Sequence, residues 1–367
     1  MVEQYLEHSK QILTSEYSGF KGGSKGSGLI SLFGYQNRYD LRKGFPLLTT
    51  RKMAIKSTIY ELIWFLKGET NTKYLEDNNV MFWRGNSFEY NLPRMIEEGI
   101  FSESLLDKKN KYGPDWDKAM QEFSQRIKES DDFAQRFGDA GPIYGYQWRH
   151  WKYFDEKKGK LIEIDQLGQT IEEMRKKPIG KRHLITAWNP GDVPNMSLPS
   201  CHVMYQMTAN EEGQLDLQLY QRSCDQFLGV PINIASYALL TQIIAQELDL
   251  EPRSFIHSFG DSHFYTGLEK RGQWYRENLP ELKERIRNVS LREEYLHVLE
   301  WINKNSPHDE TEEKYDHVTA IIEQLSREPR PLPRMKIAKK PFDKLTIDDF
   351  TLEGYETYPA IKRGMPI

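Results

Sequence analysis

The chain has 367 residues, enough for one large domain or two modest ones, with 38% hydrophobic and 28% charged residues, an ordinary balance for a globular protein. A net charge of -4 excludes bulk phosphate-backbone binding, so any phosphate site is local and no nucleic-acid partner is expected. Two cysteines, Cys201 and Cys224, make neither a disulfide framework nor a cysteine-rich metal site. MVEQYLEHSK is not a signal peptide, and no apolar run reaches the ~18 residues of a membrane span. A reducing, cytoplasmic setting is expected, with no membrane partner.

In chain order, Glu3 to Leu13 has helical periodicity. Ser18 to Gly28 is a glycine- and lysine-rich loop that could wrap a phosphate or simply lie on the surface. A strand follows from Leu29 to Tyr35. Ser57 to Lys67 is a strong helix, with Ile59, Leu62, Ile63 and Leu66 on one stripe and Glu61 inside the apolar run. A carboxylate there is either perturbed by its surroundings or an ordinary flank residue reaching water. Residues 86–140 and 271–325 are polar and loosely periodic, and read as surface insertions rather than core. The whole chain, 1–367, is expected to be a single domain that carries these two insertions.

Between the insertions the sequence is dense in apolar and aromatic residues. Strands are predicted at Arg182–Trp188, His202–Thr208 and Leu215–Arg222, the last two joined by a hairpin through Ala209–Gly213. Leu215, Leu217 and Leu219 share one strand face. Gly229-Val-Pro231 breaks the chain, and Asn233 is placed to cap a buried helix from Ile234 to Leu248.

Three groups could carry chemistry. Cys201 enters a strand beside a proline loop, and Arg222 on the neighbouring strand favours a thiolate; the alternative is a small core residue. Gln221-Arg222-Ser223-Cys224-Asp225 offers a guanidinium fork and a hydroxyl for a phosphate, with Lys181 and Arg182 adding charge, or forms a solvated face. His263 and Tyr265, two apart on an extended segment, share a face that suits a sugar hydroxyl or a core pair.

These pieces, in this order, resemble the thymidylate synthase family. PSCHVMYQ (199–206) looks like its nucleophile motif, and QLYQRSCDQFLGVPINIASYALL (218–240) like its longest signature. ELIWFLKGETN, GPIYGYQWRHW, ITAWNPGD, FIHSFGDSHFY, SREPRPLPRMKI and GYETYPAIKRGMPI follow the family too. The resemblance implies an α/β (α+β) fold, a mixed β-sheet flanked by helices and dimerising sheet to sheet. It implies transfer of the one-carbon unit of 5,10-methylenetetrahydrofolate to C5 of dUMP, with no metal. Cys201 would attack C6 of dUMP. Arg222 would lower the pKa of Cys201 and bind the phosphate with Ser223 and Gln221 nearby, and Asn233 would read the uracil edge. His263 and Tyr265 would hold the 3'-hydroxyl, Glu61 and Tyr144 would serve the proton transfers, and Asp225 would act with them. Trp83, Phe82, Arg51, Asp225, Leu228, Gly229 and Ile367 fall at folate-contacting positions. Lys181 and Arg182 match a pair that reaches the phosphate across a homodimer.

Several positions depart from the pattern. The loop arginine is replaced by Ser24, leaving Lys25 or Lys21 to take its place. Lys181 replaces an arginine, Arg84 an aspartate, Ile232 a phenylalanine and Gly267 an asparagine, and the tail ends Met-Pro-Ile. Hydride capture of the transferred group yields dTMP and capture by water yields 5-hydroxymethyl-dUMP. Reductive methylation is the leading expectation, hydroxymethylation the alternative, and a non-catalytic nucleotide-binding protein the remote one.

Overall fold

The computed structural model describes residues 2–22, 28–107, 111, 113–309 and 313–364. The loop positions Ser24 and Lys25, and the terminal Ile367, lie outside the described residues. Helix α1 (Val2–Thr14) buries Val2, Tyr5, Leu6, Ser9, Ile12 and Leu13, a stripe at three- and four-residue spacing. β1 (Gly19–Gly22) then pairs antiparallel with the start of β2 (Gly28–Asp40). α2 (Ile55–Leu66) carries Glu61 and buries it among Leu62, Trp64 and Phe65, away from the water a flank residue would reach.

α3 (Lys73–Asp77), α4 (Arg84–Glu97), α5 (Pro114–Glu129) and α6 (Asp131–Phe137) occupy the first predicted insertion. It is not a polar appendage. Phe88, Leu92, Met95, Trp116, Phe123, Ile127, Phe133 and Phe137 form a hydrophobic cluster of their own, separate from the main core. The excursion closes where it began: Thr72 N donates to Gly138 O at 2.8 Å and Ala140 N to Thr70 O at 2.9 Å. α7 (Tyr144–Arg149) follows, and its second residue decides how closely it docks. A Cβ on Gly145 would stand 2.3 Å from Phe65 O, so only glycine lets α7 lie against α2.

After a two-stranded ribbon, β3 (Trp151–Asp155) and β4 (Lys160–Ile164), and α8 (Gln166–Lys176), the chain builds the rest of the main sheet. Its strands are β5 (Leu184–Thr186), β6 (His202–Ala209), β7 (Gln214–Asp225) and, beyond α9 (Gly229–Glu247), β8 (Glu251–Tyr265). The order is β1-β2-β8-β7-β6-β5, with β7 and β8 parallel and the other pairs antiparallel. The mixed sheet flanked by helices matches the expected fold class. The parallel pair exists because α9 is a crossover connection, as parallel neighbours require. Leu215, Leu217 and Leu219 are fully buried on the helix side. Phe33, Leu184 and Met204 remain exposed, at 72%, 40% and 40%.

Two sequence expectations change here. β5 is shorter than Arg182–Trp188. α9 starts at Gly229, so Asn233 is an interior helix residue rather than its cap. Pro231 is tolerated because the first helical turn has no intrahelical acceptor for its missing N–H.

The second predicted insertion is largely core. α10 (Glu269–Arg287) buries Tyr275, Leu279, Leu282 and Ile286. α11 (Tyr295–Asn305) buries Tyr295, Val298 and Ile302, and α12 (His317–Leu325) is buried at eight of nine positions. These apolar residues join the main cluster. The excursion closes with Gly267 N on Tyr315 O at 3.2 Å and a bridge between Thr266 and Asp316. Inside it Arg271 Nε donates to Asp316 Oδ2 at 2.7 Å, and the Tyr275 hydroxyl donates to the same oxygen at 2.8 Å. Asp316 Oδ1 accepts from Val318 N and Thr319 N, capping α12. Arg271→Met is therefore expected to destabilise the fold by about 3 kcal/mol, since it leaves the fully buried Asp316 carboxylate without its cation. Urea unfolding checks this, and a loss below about 1 kcal/mol would place the pair among ordinary surface ion pairs.

β9 (Arg334–Ile337) and β10 (Phe350–Glu353) form a closing ribbon. The tail then runs back across the molecule: Tyr358 N donates to Thr49 O, and Gly364 N to Lys314 O. None of the described helices is long and apolar enough to cross a membrane.

Candidate active site

Cys201 sits just before β6, partly buried, with its backbone held on both sides. Its N–H donates to the Tyr144 hydroxyl oxygen at 2.9 Å, and its carbonyl accepts from Arg222 N at 2.9 Å. Arg222 also grips the preceding loop, with Nε on Ser200 O at 3.0 Å and Nη2 on Pro199 O at 2.6 Å. Its guanidinium lies 5.1 Å from the centre of the Trp188 ring. β7 thus brings the expected cation beside the expected nucleophile. The net effect differs from the sequence expectation: burial pushes the Cys201 thiol up, and Arg222 and the Tyr144 hydroxyl only partly pull it back.

Tyr144 is packed between Phe65, at 5.1 Å between ring centres, Trp83 at 5.5 Å and His202 at 4.8 Å. Its φ of 26° lies in the left-handed region, an unfavourable place for an aromatic residue, and the surrounding rings hold it there. Below it, Glu61 accepts from Trp83 Nε1 at 2.8 Å. Burial raises the Glu61 carboxyl to about 7, with the indole N–H opposing. Glu61 is therefore near half-ionised at neutral pH, the condition for giving and taking protons.

Asn233 faces this group from α9. Gln221 Nε2 donates to Asn233 Oδ1 at 3.1 Å and to Ser223 O at 3.0 Å, while Gln221 Oε1 meets His257 Nε2 at 2.9 Å. His202 also bonds Asn233, and burial lowers its imidazole to about 4, so it is neutral. Ser223 follows Arg222 on β7, opposite Asp261 on β8. His263 and Tyr265 share the expected strand face with ring centres 5.4 Å apart. His263 Nδ1 lies 3.2 Å from Asp261 O.

At the end of β7, Asp225 Oδ1 accepts from Phe227 N and Leu228 N at 3.0 Å each, which forms the turn that launches α9 at Gly229. Its Oδ2 is buried without a partner among the described residues; burial pushes the carboxyl up, but the nearby His317 imidazole outweighs it and holds the carboxyl below its ordinary range. An orphaned carboxylate oxygen suits the N–H edge of a heterocycle such as a pterin. Arg51 braces this turn: Nη2 donates to Phe227 O, and the guanidinium lies 4.3 Å from the centre of the Phe227 ring. Trp83 is buried against Glu61, and Phe82 is half-buried beside the main core.

Other candidates stand elsewhere. Lys181 and Arg182 are exposed ahead of β5, away from the groups that surround Cys201. Lys21, half-exposed on β1, pairs with Asp261 at 2.5 Å. Arg84 forks onto buried Glu76, which also accepts from Ser124 Oγ at 2.7 Å. That departure from the family pattern anchors α4 to α3 and α5. The sequence reading also missed His317. Its Nδ1 lies 3.3 Å from Asp225 Oδ1 and its Nε2 donates to Gly364 O at 2.8 Å, so one buried ring joins the carboxylate to the tail. Arg363 Nε adds a bond to Asp316 O at 2.8 Å. Only the closure at Thr266 and Asp316 reveals that His317 continues from Tyr265 in space.

The family model described as thymidylate synthase matches residues 3–367. The thymidylate synthase of Mesoplasma florum is 37% identical over 366 residues, covering 98% of both chains. That of Listeria monocytogenes serotype 4b is 37% identical over 375 aligned residues, and that of Listeria innocua serovar 6a 38% over 376, each covering both chains fully. A match over essentially the whole length, on a fold that gathers the motif residues around one cysteine, decides the matter: the chain belongs to the thymidylate synthase family.

Proposed function

We propose that this protein transfers the one-carbon unit of 5,10-methylenetetrahydrofolate to C5 of dUMP and reduces it, giving dTMP and dihydrofolate. The carrying observation is the mutual grip of Cys201, Tyr144 and Arg222, with Glu61 and Asn233 facing the same space. The Cys201 thiolate adds to C6 of dUMP, which makes C5 nucleophilic; a soft thiolate both adds and leaves readily. Burial holds the thiol up, and the Arg222 guanidinium beside it is the group that favours the thiolate.

Arg222 and Ser223 bind the 5'-phosphate. Asn233, held by Gln221, donates to O4 and accepts from N3–H, and His263 and Tyr265 hold the 3'-hydroxyl. The Tyr144 hydroxyl accepts the Cys201 N–H, so its own proton is free to donate within the site. It assists removal of the C5 proton, while Glu61 relays protons with the water around it. Bound folate supplies the one-carbon unit and the hydride. Asp225 binds its pterin, Trp83 and Phe82 flank it, and the Leu228–Gly229 turn braced by Arg51 forms its floor. Lys25 and Ile367 are assigned to the phosphate and the folate on the family pattern alone.

The partner is a second copy of this chain. Phe33, Leu184 and Met204 are exposed apolar side chains on the main sheet, and Lys181 and Arg182 are exposed beside its edge strand β5. Sheet-to-sheet pairing covers the apolar residues and delivers those two cations to the neighbouring phosphate. Mass spectrometry of the nucleotide formed from dUMP and methylenetetrahydrofolate tests the reaction. A product heavier than dUMP by one CH2, with dihydrofolate formed in step, is expected. A 5-hydroxymethyl product with tetrahydrofolate accumulating would overturn reductive methylation.

A further inference from the structure

We infer that His257, on β8, is a positioning residue that sets the sense of the Asn233 amide through Gln221 and so enforces uracil over cytosine. This rests on the reading of Asn233 given above.

The argument begins at a main-chain oxygen. Ser223 O can only accept, and Gln221 Nε2 lies 3.0 Å from it. The Gln221 amide must therefore present its NH2 on that side, because the flipped amide would set two oxygens against each other. The same NH2 reaches Asn233 Oδ1 at 3.1 Å. Gln221 Oε1 is left facing His257 Nε2 at 2.9 Å, and a buried carbonyl there needs a donor. His257 must then carry its proton on Nε2. Its Nδ1 is buried with no partner among the described residues, as fits the bare nitrogen of a neutral ring. Burial and the nearby His202 and His8 rings drive its imidazole well below the ordinary value, which keeps it neutral. Phe259 lies 3.8 Å from the ring, centre to centre, and Phe255 5.3 Å, and both fix its plane.

The consequence falls on Asn233. With an N–H directed at it from Gln221, its Oδ1 turns that way, and its NH2 points to the other side. That arrangement donates to O4 of uracil and leaves a lone pair for N3–H. Cytosine presents an NH2 in place of O4 and a bare N3, so it requires the opposite amide sense. His202 does not dictate the sense, since a neutral imidazole can donate or accept according to its tautomer. The chain from Ser223 O and His257 does.

The test compares dUMP and dCMP dissociation constants for the intact protein and for His257→Leu. The substitution leaves the buried Gln221 Oε1 without its donor, so the amide sense is held from the Ser223 O side alone and loosens. The preference for dUMP over dCMP is expected to fall at least about tenfold, with the dUMP constant rising. A role limited to packing would scale both nucleotides alike, so an unchanged ratio overturns the inference. Should the variant not fold, the 15N spectrum of labelled histidines in the intact protein decides: a neutral Nε2–H tautomer for His257 is expected, and Nδ1–H overturns it. Failure of the intact protein to bind dUMP would instead remove the reading of the site, leaving the tautomer result to stand separately.

Discussion

Cys201→Ser is expected to lower the turnover of dUMP by roughly 10^4-fold or more, while the dUMP dissociation constant changes only a few-fold. A serine hydroxyl is smaller, harder and far less acidic than a thiol, and among the described residues the Cys201 Sγ meets a backbone carbonyl, Pro199 O, rather than a side-chain base. His202, next in sequence, is held neutral near Asn233 and Tyr144 and belongs to the base-reading group. Binding survives because Arg222 holds the 199–201 loop by its carbonyls rather than through the thiol. Steady-state rates with calorimetric binding check both halves. Loss of binding in parallel with rate would mean that Cys201 shapes the site instead of reacting in it.

Glu61→Gln is expected to reduce kcat by about 10^2- to 10^3-fold, with KM for dUMP little changed. Glutamine keeps the size and accepts from Trp83 Nε1, but it cannot take or release a proton. The same substitution has a signature in stability. The folded-state value of about 7 lies above the ordinary 4.5. The protonated carboxyl is accommodated in the core, and its stability contribution is full below pH 4.5. It is lost as pH rises through 7, when a charge must be held without a cation. By linkage the shift amounts to about 3 kcal/mol between those limits. Wild-type stability should therefore fall relative to Glu61→Gln across that window. Parallel curves for the two proteins from pH 4 to 8 would show that Glu61 ionises as freely as an exposed carboxylate.

The site was legible because its motifs lie on regular elements. Alternation of Leu215, Leu217 and Leu219 fixed the faces of β7, and with it the side on which Arg222 meets Cys201. The start of α9 was misread because Gly229-Val-Pro231 reads as a breaker. The turn made by Asp225 Oδ1 overrides it, and a side chain four residues upstream is not a propensity signal. In residues 271–325 the stripe of Tyr275, Leu279, Leu282 and Ile286 was present at helical spacing, but charged neighbours masked it. His317 was hidden for a different reason. It reaches Asp225 only after an excursion from Gly267 to Tyr315 folds back on itself, and no local pattern reports such a closure.

The excursion also ties fold to function. Asp316 is the last residue before His317, and its carboxylate is fixed by Arg271 and Tyr275 of α10. Helices that sequence reading assigned to the surface therefore hold the ring that spans Asp225 and the Gly364 carbonyl. A defect in this buried network is expected to reach Asp225 first, since Asp225 is the residue that His317 touches.

The central claim is that Cys201 activates C5 by bonding to C6, and release of tritium from [5-3H]dUMP into water measures that directly. With methylenetetrahydrofolate present, the intact protein should release tritium in step with product, and Cys201→Ser should release essentially none. Product formation without tritium release, or equal release by the serine variant, would contradict the account.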